Sequence, residues 1–146
     1  ILDEPTTGLD PQARHLIWEK VRELKRKKVT VILTTHYMDE AERLCDRLVI
    51  MDHGKIILQG RPRDLIDQVI GTDVMEIDEP TDDMETYVKG RGWQYERTID
   101  RMLIYTKEGQ SVAAELKEHF AMSYYLIRNA TLEDVFLRST GRALVE

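Results

Sequence analysis

Two carboxylates and one histidine, each placed at the end of an apolar run, are the residues of this chain best placed to do chemistry. Ile1 and Leu2 run straight into Asp3-Glu4. That pattern reads as the last turn of a buried parallel strand delivering two adjacent carboxylates to its C-terminal edge, where open α/β sheets bind their ligands. About thirty residues on, Val29-Thr30-Val31-Ile32-Leu33-Thr34-Thr35 reads as the next strand and ends in His36. Between them, Asp10-Pro11 is a common helix start, with the aspartate capping the first turn and the proline at the first helical position. His15, His53 and His119 have no comparable context and are expected at the surface or in turns.

The string Asp3-Glu4-Pro5-Thr6-Thr7-Gly8-Leu9-Asp10-Pro11 resembles the Walker B and D-loop segment of ATP-binding cassette (ABC) ATPases, in which an apolar strand ends in Asp-Glu and a Gly-Leu-Asp turn follows. Thr34-Thr35-His36 is similar to that family's switch-histidine segment. The resemblance implies ATP and Mg2+ as ligands and gives each residue a role. Asp3 would hold magnesium through its water shell, because this ion keeps several waters and takes few protein carboxylates. Glu4 would orient or deprotonate the attacking water, and His36 would touch the γ-phosphate. Phosphoryl transfer is mostly positioning and charge neutralisation, so these three roles are the ones such a site needs. In the family, Asp10 lies in the loop that faces the partner subunit across the dimer.

Other motifs of the family do not occur here. There is no phosphate cradle of the form G-x-x-x-x-G-K followed by Ser or Thr, and Gly54-Lys55 runs into Ile56. The Ser-Gly-Gly-Gln signature, the Gln loop and the adenine-stacking aromatic are absent as well. With Ile1 in mid-strand, the 146 residues are expected to be the C-terminal part of a longer polypeptide. Without the cradle, Asp3 and Glu4 are like charges with little to hold a polyanion, so the chain alone is expected neither to bind ATP well nor to hydrolyse it. Strands stripped of neighbours also predict self-association through open edges.

Composition sets the outer bounds. With 42% hydrophobic and 33% charged residues, this is an ordinary globular chain of one or two small domains. The single Cys45 has no internal disulfide partner. No apolar run approaches the roughly 18 to 20 residues that span a bilayer, so a membrane role has to come through a partner. A net charge of -6 argues against nucleic acid as a partner. The excess is local: Asp73 to Lys89 holds seven acidic residues and one basic residue, which reads as a solvated acidic face.

The fold class is α/β, and two patterns divide it. Residues 1–71 read as part of a RecA-like (P-loop NTPase) lobe: a helix over Pro11 to Lys28, a doubly covered strand over Val29 to Leu33, a helix over Met38 to Cys45, a hairpin of Arg47 to Met51 with Lys55 to Leu58, and a helix over Pro62 to Ile70. Gly71-Thr72 marks a boundary. Residues 72–146 then read β-α-β-β-α-β, the ferredoxin-like order: Asp73 to Asp78, Thr81 to Lys89, Trp93 to Ile99, Met102 to Lys107, Gln110 to Phe120 and Tyr124 to Arg128. A last helix over Leu132 to Ser139 follows, with Thr131 and Asp134 as its cap.

That layout, and the ending Ala130-Thr131-Leu132-Glu133-Asp134-Val135-Phe136-Leu137, resemble the C-terminal accessory domain on ATPase subunits of ABC-2 type bacterial drug exporters, including the daunorubicin-resistance group. The resemblance implies a cytoplasmic ATPase subunit on the inner face of the membrane, dimeric around ATP and coupled to a separate permease. Two alternatives remain. Residues 72–146 read as a ligand-binding or dimerisation module, with Trp93, Tyr95, Tyr105, Tyr124 and Tyr125 as its lining, or the whole reads as a soluble ABC ATPase outside transport.

Overall fold

A computed structural model describes residues 1–141. Its chemistry-bearing end is built on the smallest sheet. β1 (Leu2–Asp3) pairs in parallel with β2 (Leu33–Thr34), in the register Leu2 to Leu33 and Asp3 to Thr34. The long connection between them carries α1 (Pro11–Arg26), and β2 leads through His36 into α2 (Met38–Leu44). Asp10 caps α1 as its sequence suggests, accepting the Ala13 N–H at 2.9 Å with Pro11 in the first turn. A small core of Trp18, Val21 and Leu44, with Leu2, Val31 and Leu33 against it, fixes both strands to α1 and α2. Glu40 is fully buried there and accepts the Trp18 indole N–H at 2.9 Å, which ties α2 to α1.

The expected strand over Val29 to Leu33 is corrected here. Only Leu33–Thr34 is in a ladder, and Val29 and Ile32 are 46% and 58% exposed. A doubly covered strand needs elements packed on both faces, and the exposure of Val29 and Ile32 shows that they have no such cover among the described residues.

After α2, β3 (Leu48–Asp52) and β4 (Lys55–Gly60) form an antiparallel hairpin turning at His53-Gly54, and α3 (Pro62–Val69) follows. The chain then passes Gly71, whose φ of +110° only glycine adopts easily. A Cβ there would lie 2.6 Å from the Thr106 carbonyl oxygen.

The remainder is β5 (Asp73–Asp78), α4 (Asp82–Gly90), β6 (Gln94–Arg97), β7 (Arg101–Thr106), α5 (Gly109–His119), β8 (Tyr125–Asn129) and α6 (Leu132–Thr140). The four strands form one antiparallel sheet in the order β6-β7-β5-β8. Successive side chains alternate between its faces. Met75, Ile77, Met102 and Ile104 meet Met84 and Val88 of α4 and Val112, Ala113 and Leu116 of α5. Val74, Leu103 and Tyr105 on the other face share a core with Leu65 and Ile66 of α3, Leu132 and Val135 of α6, Ala41 of α2 and Ile50 of β3. That second core crosses Gly71, so the two sequence patterns are packed on common hydrophobic contacts. The chain is mixed α/β, with six helices and three small sheets among the described residues.

Candidate functional site

The parallel pairing of β1 and β2 makes the ends of both strands one place. The Glu4 N–H donates to the Thr34 carbonyl at 3.0 Å, so the chain leaves β1 still attached to β2. Glu4 then takes φ +42°, left-handed for a residue with a Cβ. The Thr34 hydroxyl donates to Asp3 Oδ1 and lies 3.1 Å from the Glu4 N–H. Thr7, from the turn that follows, donates its hydroxyl to Glu4 Oε2 at 3.1 Å. His36 completes the group, with Nδ1 3.4 Å from Glu4 Oε1.

Asp3, Glu4 and His36 are thus brought together, and both Glu4 and His36 side chains stay about half exposed. Asp10 stands apart from them as the cap of α1. Sequence reasoning passed over Thr34 and Thr7, which orient the carboxylates. Threonine in a strand is explained by β propensity alone, so only the register Asp3 to Thr34 shows the second use of its hydroxyl.

The donor set is one of hard oxygens. Two exposed carboxylates at a sheet edge suit magnesium, which takes one or two carboxylates and fills its octahedron with water and phosphate oxygens. Among the described residues no group of three or more His, Cys, Asp or Glu forms a protein cage for a metal. A site that shares its cation with a phosphate needs no such cage.

Two hollows take one each of the five aromatics. Trp93 borders a hollow of about 300 Å3 with Arg91, Lys107 and Ser111, while Tyr105 borders another of about 230 Å3 with Gly71 and Gln94. Tyr95 and Tyr125 pack on the core beneath α4 and α5, and Tyr124 is 58% exposed. No helix is long and apolar enough to cross a membrane among the described residues.

Residues 84–141 match the family described as Nodulation factor export protein NodI, C-terminal domain. Across nearly the whole chain there is similarity to proteins named Nod factor export ATP-binding protein I. That of Rhizobium etli is 46% identical over 146 residues, covering 99% of this chain and 46% of the relative. That of Ralstonia nicotianae is 47% identical over 152 residues, covering 99% and 47%. That of Sinorhizobium fredii is 48% identical over 145 residues, covering 99% and 42%. The chain spans about half the length of these curated relatives. With the Asp-Glu strand end and the histidine already assembled on one edge, the similarity places this chain in the family of ABC transporter ATP-binding subunits.

Proposed function

We propose that this chain supplies the magnesium-and-water side of the nucleotide site in an ATPase that drives export through a separate membrane permease. The observation that carries the reading is the convergence of Asp3, Glu4 and His36 on one strand edge, with His36 Nδ1 3.4 Å from Glu4 Oε1. Asp3 would hold Mg2+, which supplies charge neutralisation on the phosphates when bound. Thr34 and Thr7 keep the two carboxylates apart in use: one hydroxyl is spent on Asp3 and the other on Glu4 Oε2. Glu4 then orients a water and accepts its proton, while the histidine next to it steadies the carboxylate and reaches toward the γ-phosphate.

Several finer statements belong to the same reading. Residues 1–71 form part of a RecA-like lobe, supported by the parallel β1–β2 pair with its intervening helix. Residues 72–146, of which 142–146 lie outside the described residues, correspond to a ferredoxin-like domain, a reading supported by the β-α-β-β-α-β order and the strand sequence β6-β7-β5-β8. Asp10 faces a second ATPase subunit across a nucleotide-dependent dimer. Export as the direction rests on the relatives' names, which specify Nod factor; the permease would carry most of the choice of cargo and hold the subunit at the inner face of the membrane. The chain by itself is inactive and self-associates, because it holds carboxylates without a phosphate cradle and leaves Val29 and Ile32 uncovered.

Two experiments test this. Calorimetric titration of the chain with ATP and magnesium is expected to show no saturable binding. Micromolar binding lost in Asp3→Ala would mean that a nucleotide site exists without the cradle. In the gene product that contains these residues, Glu4→Gln is expected to lower ATP hydrolysis by about 100-fold or more, the contribution of a general base, while ATP still binds. Unchanged hydrolysis in that variant overturns the assignment.

A further inference from the structure

His36 does not stand alone over Glu4. Its ring lies 4.1 Å, centroid to centroid, from the ring of Tyr37 at an interplanar angle of 41°. The guanidinium carbon of Arg14 lies 4.6 Å from the centre of that same Tyr37 ring. Cation, phenol and imidazole therefore form a continuous stack running from α1 to the carboxylate.

Neither Tyr37 nor Arg14 is explained by the helix it belongs to or caps. Tyr37 is the N-cap of α2, a position that favours Ser, Thr, Asp or Asn, and its side chain makes no capping bond. Arg14 lies one turn into α1, where a cation opposes the helix dipole, and that first turn carries no acidic residue. Arg14 makes no ion pair among the described residues, and its buried Nε has no hydrogen-bond partner there. Ring contact is what occupies it. Meanwhile the backbone is pinned by a different group, since the Tyr37 N–H donates to Thr35 Oγ1 at 3.0 Å. That leaves the imidazole's orientation to its ring neighbours.

We infer that Tyr37, clamped by Arg14, is the positioning residue that fixes the His36 ring with Nδ1 toward Glu4 and Nε2 free for a phosphate oxygen. The inference rests on the ATPase reading above and gives it a part that the sequence motifs do not name. A cation over the ring face adds attraction to an aromatic contact. An imidazole held on one side by that ring and on the other by a carboxylate has little rotational freedom left to lose when the phosphate arrives.

Two measurements keep this inference and its parent reading separate. In the chain itself, proton NMR reads the ring-current displacement of the His36 carbon-bound protons. Tyr37→Phe retains it, Tyr37→Leu abolishes it, and Arg14→Met reduces it without touching either ring. In the gene product that contains these residues, Tyr37→Leu lowers kcat for ATP hydrolysis by about 10- to 100-fold with KM little changed, and Tyr37→Phe restores it. His36→Ala is the control. If it leaves hydrolysis unchanged, the ATPase reading fails, and the resonances still report whether the stack holds the ring. If it abolishes hydrolysis while Tyr37→Leu matches the parent rate, or if the His36 resonances stay put in Tyr37→Leu, the positioning role is overturned.

Discussion

Asp134→Ala is the substitution whose cost can be worked most directly from the contacts. The carboxylate is 6% exposed and accepts both terminal nitrogens of Arg128 at 2.8 Å, a bidentate pair. It also reaches back to the Thr131 N–H at 2.8 Å and accepts the Thr131 hydroxyl at 2.9 Å, closing the first turn of α6. Burial raises the Asp134 pKa, but Arg128 and the Thr131 bonds outweigh it and hold the carboxyl below its usual range. Removing one partner of a buried pair costs about 3–5 kcal/mol. The Arg128 side chain is 30% exposed and keeps Glu76 at 2.6 Å, so the low end applies. Adding the lost cap, worth about 1 kcal/mol and partly the same interaction, gives a total of about 3–4 kcal/mol. At about 2–4 °C per kcal/mol for a chain of this size, Tm falls by about 10 °C. Urea unfolding followed by circular dichroism measures it, with the slope against denaturant unchanged. Because the folded-state pKa is depressed, this stabilisation is present above the unfolded value near 3.8 and is lost as pH falls through the folded one. The gap between parent and variant therefore narrows in that acid window. A loss below about 1 kcal/mol at neutral pH, no larger than a missing cap, would refute the reasoning and put the Arg128 pair on a par with solvated surface pairs.

Three further outcomes follow from single geometries. Glu4→Gly relieves a left-handed backbone worth about 1–2 kcal/mol against about 0.5–1 kcal/mol of added chain entropy and about 1 kcal/mol for the lost Thr7 bond, so it is expected to leave stability within about 1 kcal/mol of the parent; a loss above about 2 kcal/mol would show that no strain is relieved. Gly71→Ala meets both a positive φ and a backbone oxygen at 2.6 Å, whereas Gly8→Ala meets only a positive φ in open space. The first is expected to cost more than the second, which loses about 1–2 kcal/mol, and equal losses in denaturant titrations would contradict the close approach. Glu42→Ala removes the carboxylate that accepts the Leu132 N–H at 2.9 Å, at a cost of about 1 kcal/mol. Hydrogen exchange at the fully buried Leu132 amide should quicken, and unchanged protection would mean the bond is not formed in solution.

The chain's elements were legible to different depths for physical reasons. Residues 73–78 alternate Asp, Val, Met, Glu, Ile and Asp, and the strand stands over those positions. The alternation is incomplete, because Val74 and Met75 are both buried, each on its own face. That is the signature of a sheet covered on both sides, and periodicity alone does not say by what. Val29 to Leu33 shows the converse, since an apolar run announces a partner without supplying one. The convergence of Asp3, Glu4 and His36 was legible because Asp3 ends β1, Glu4 follows it and His36 lies two residues past β2, and parallel strands deliver their ends to one edge. The stack of Arg14 and Tyr37 was not, because 23 positions separate its members in sequence and neither position favours its residue for any local reason.

The sequence pattern changes at Gly71, yet the packing runs across that position. Ala41, Ile50, Leu65 and Ile66 come from before it, and Val74, Leu103, Leu132 and Val135 from after it, in one buried cluster. Fully burying a side chain such as Leu or Ile contributes about 1.5–3 kcal/mol, so the Leu132 contacts alone rival the single hydrogen bond that its amide donates to Glu42. Lys107 adds an ion pair to Asp67 at 2.7 Å, but both side chains are more than half exposed and it contributes little. What binds the two patterns is therefore apolar area, with α6 as its centre. α6 is also the element whose first turn is closed by Asp134 and whose first amide is held by α2, the helix that begins two residues after His36. The sheet of the second pattern is thus attached to the candidate site through packing on the histidine's own helix.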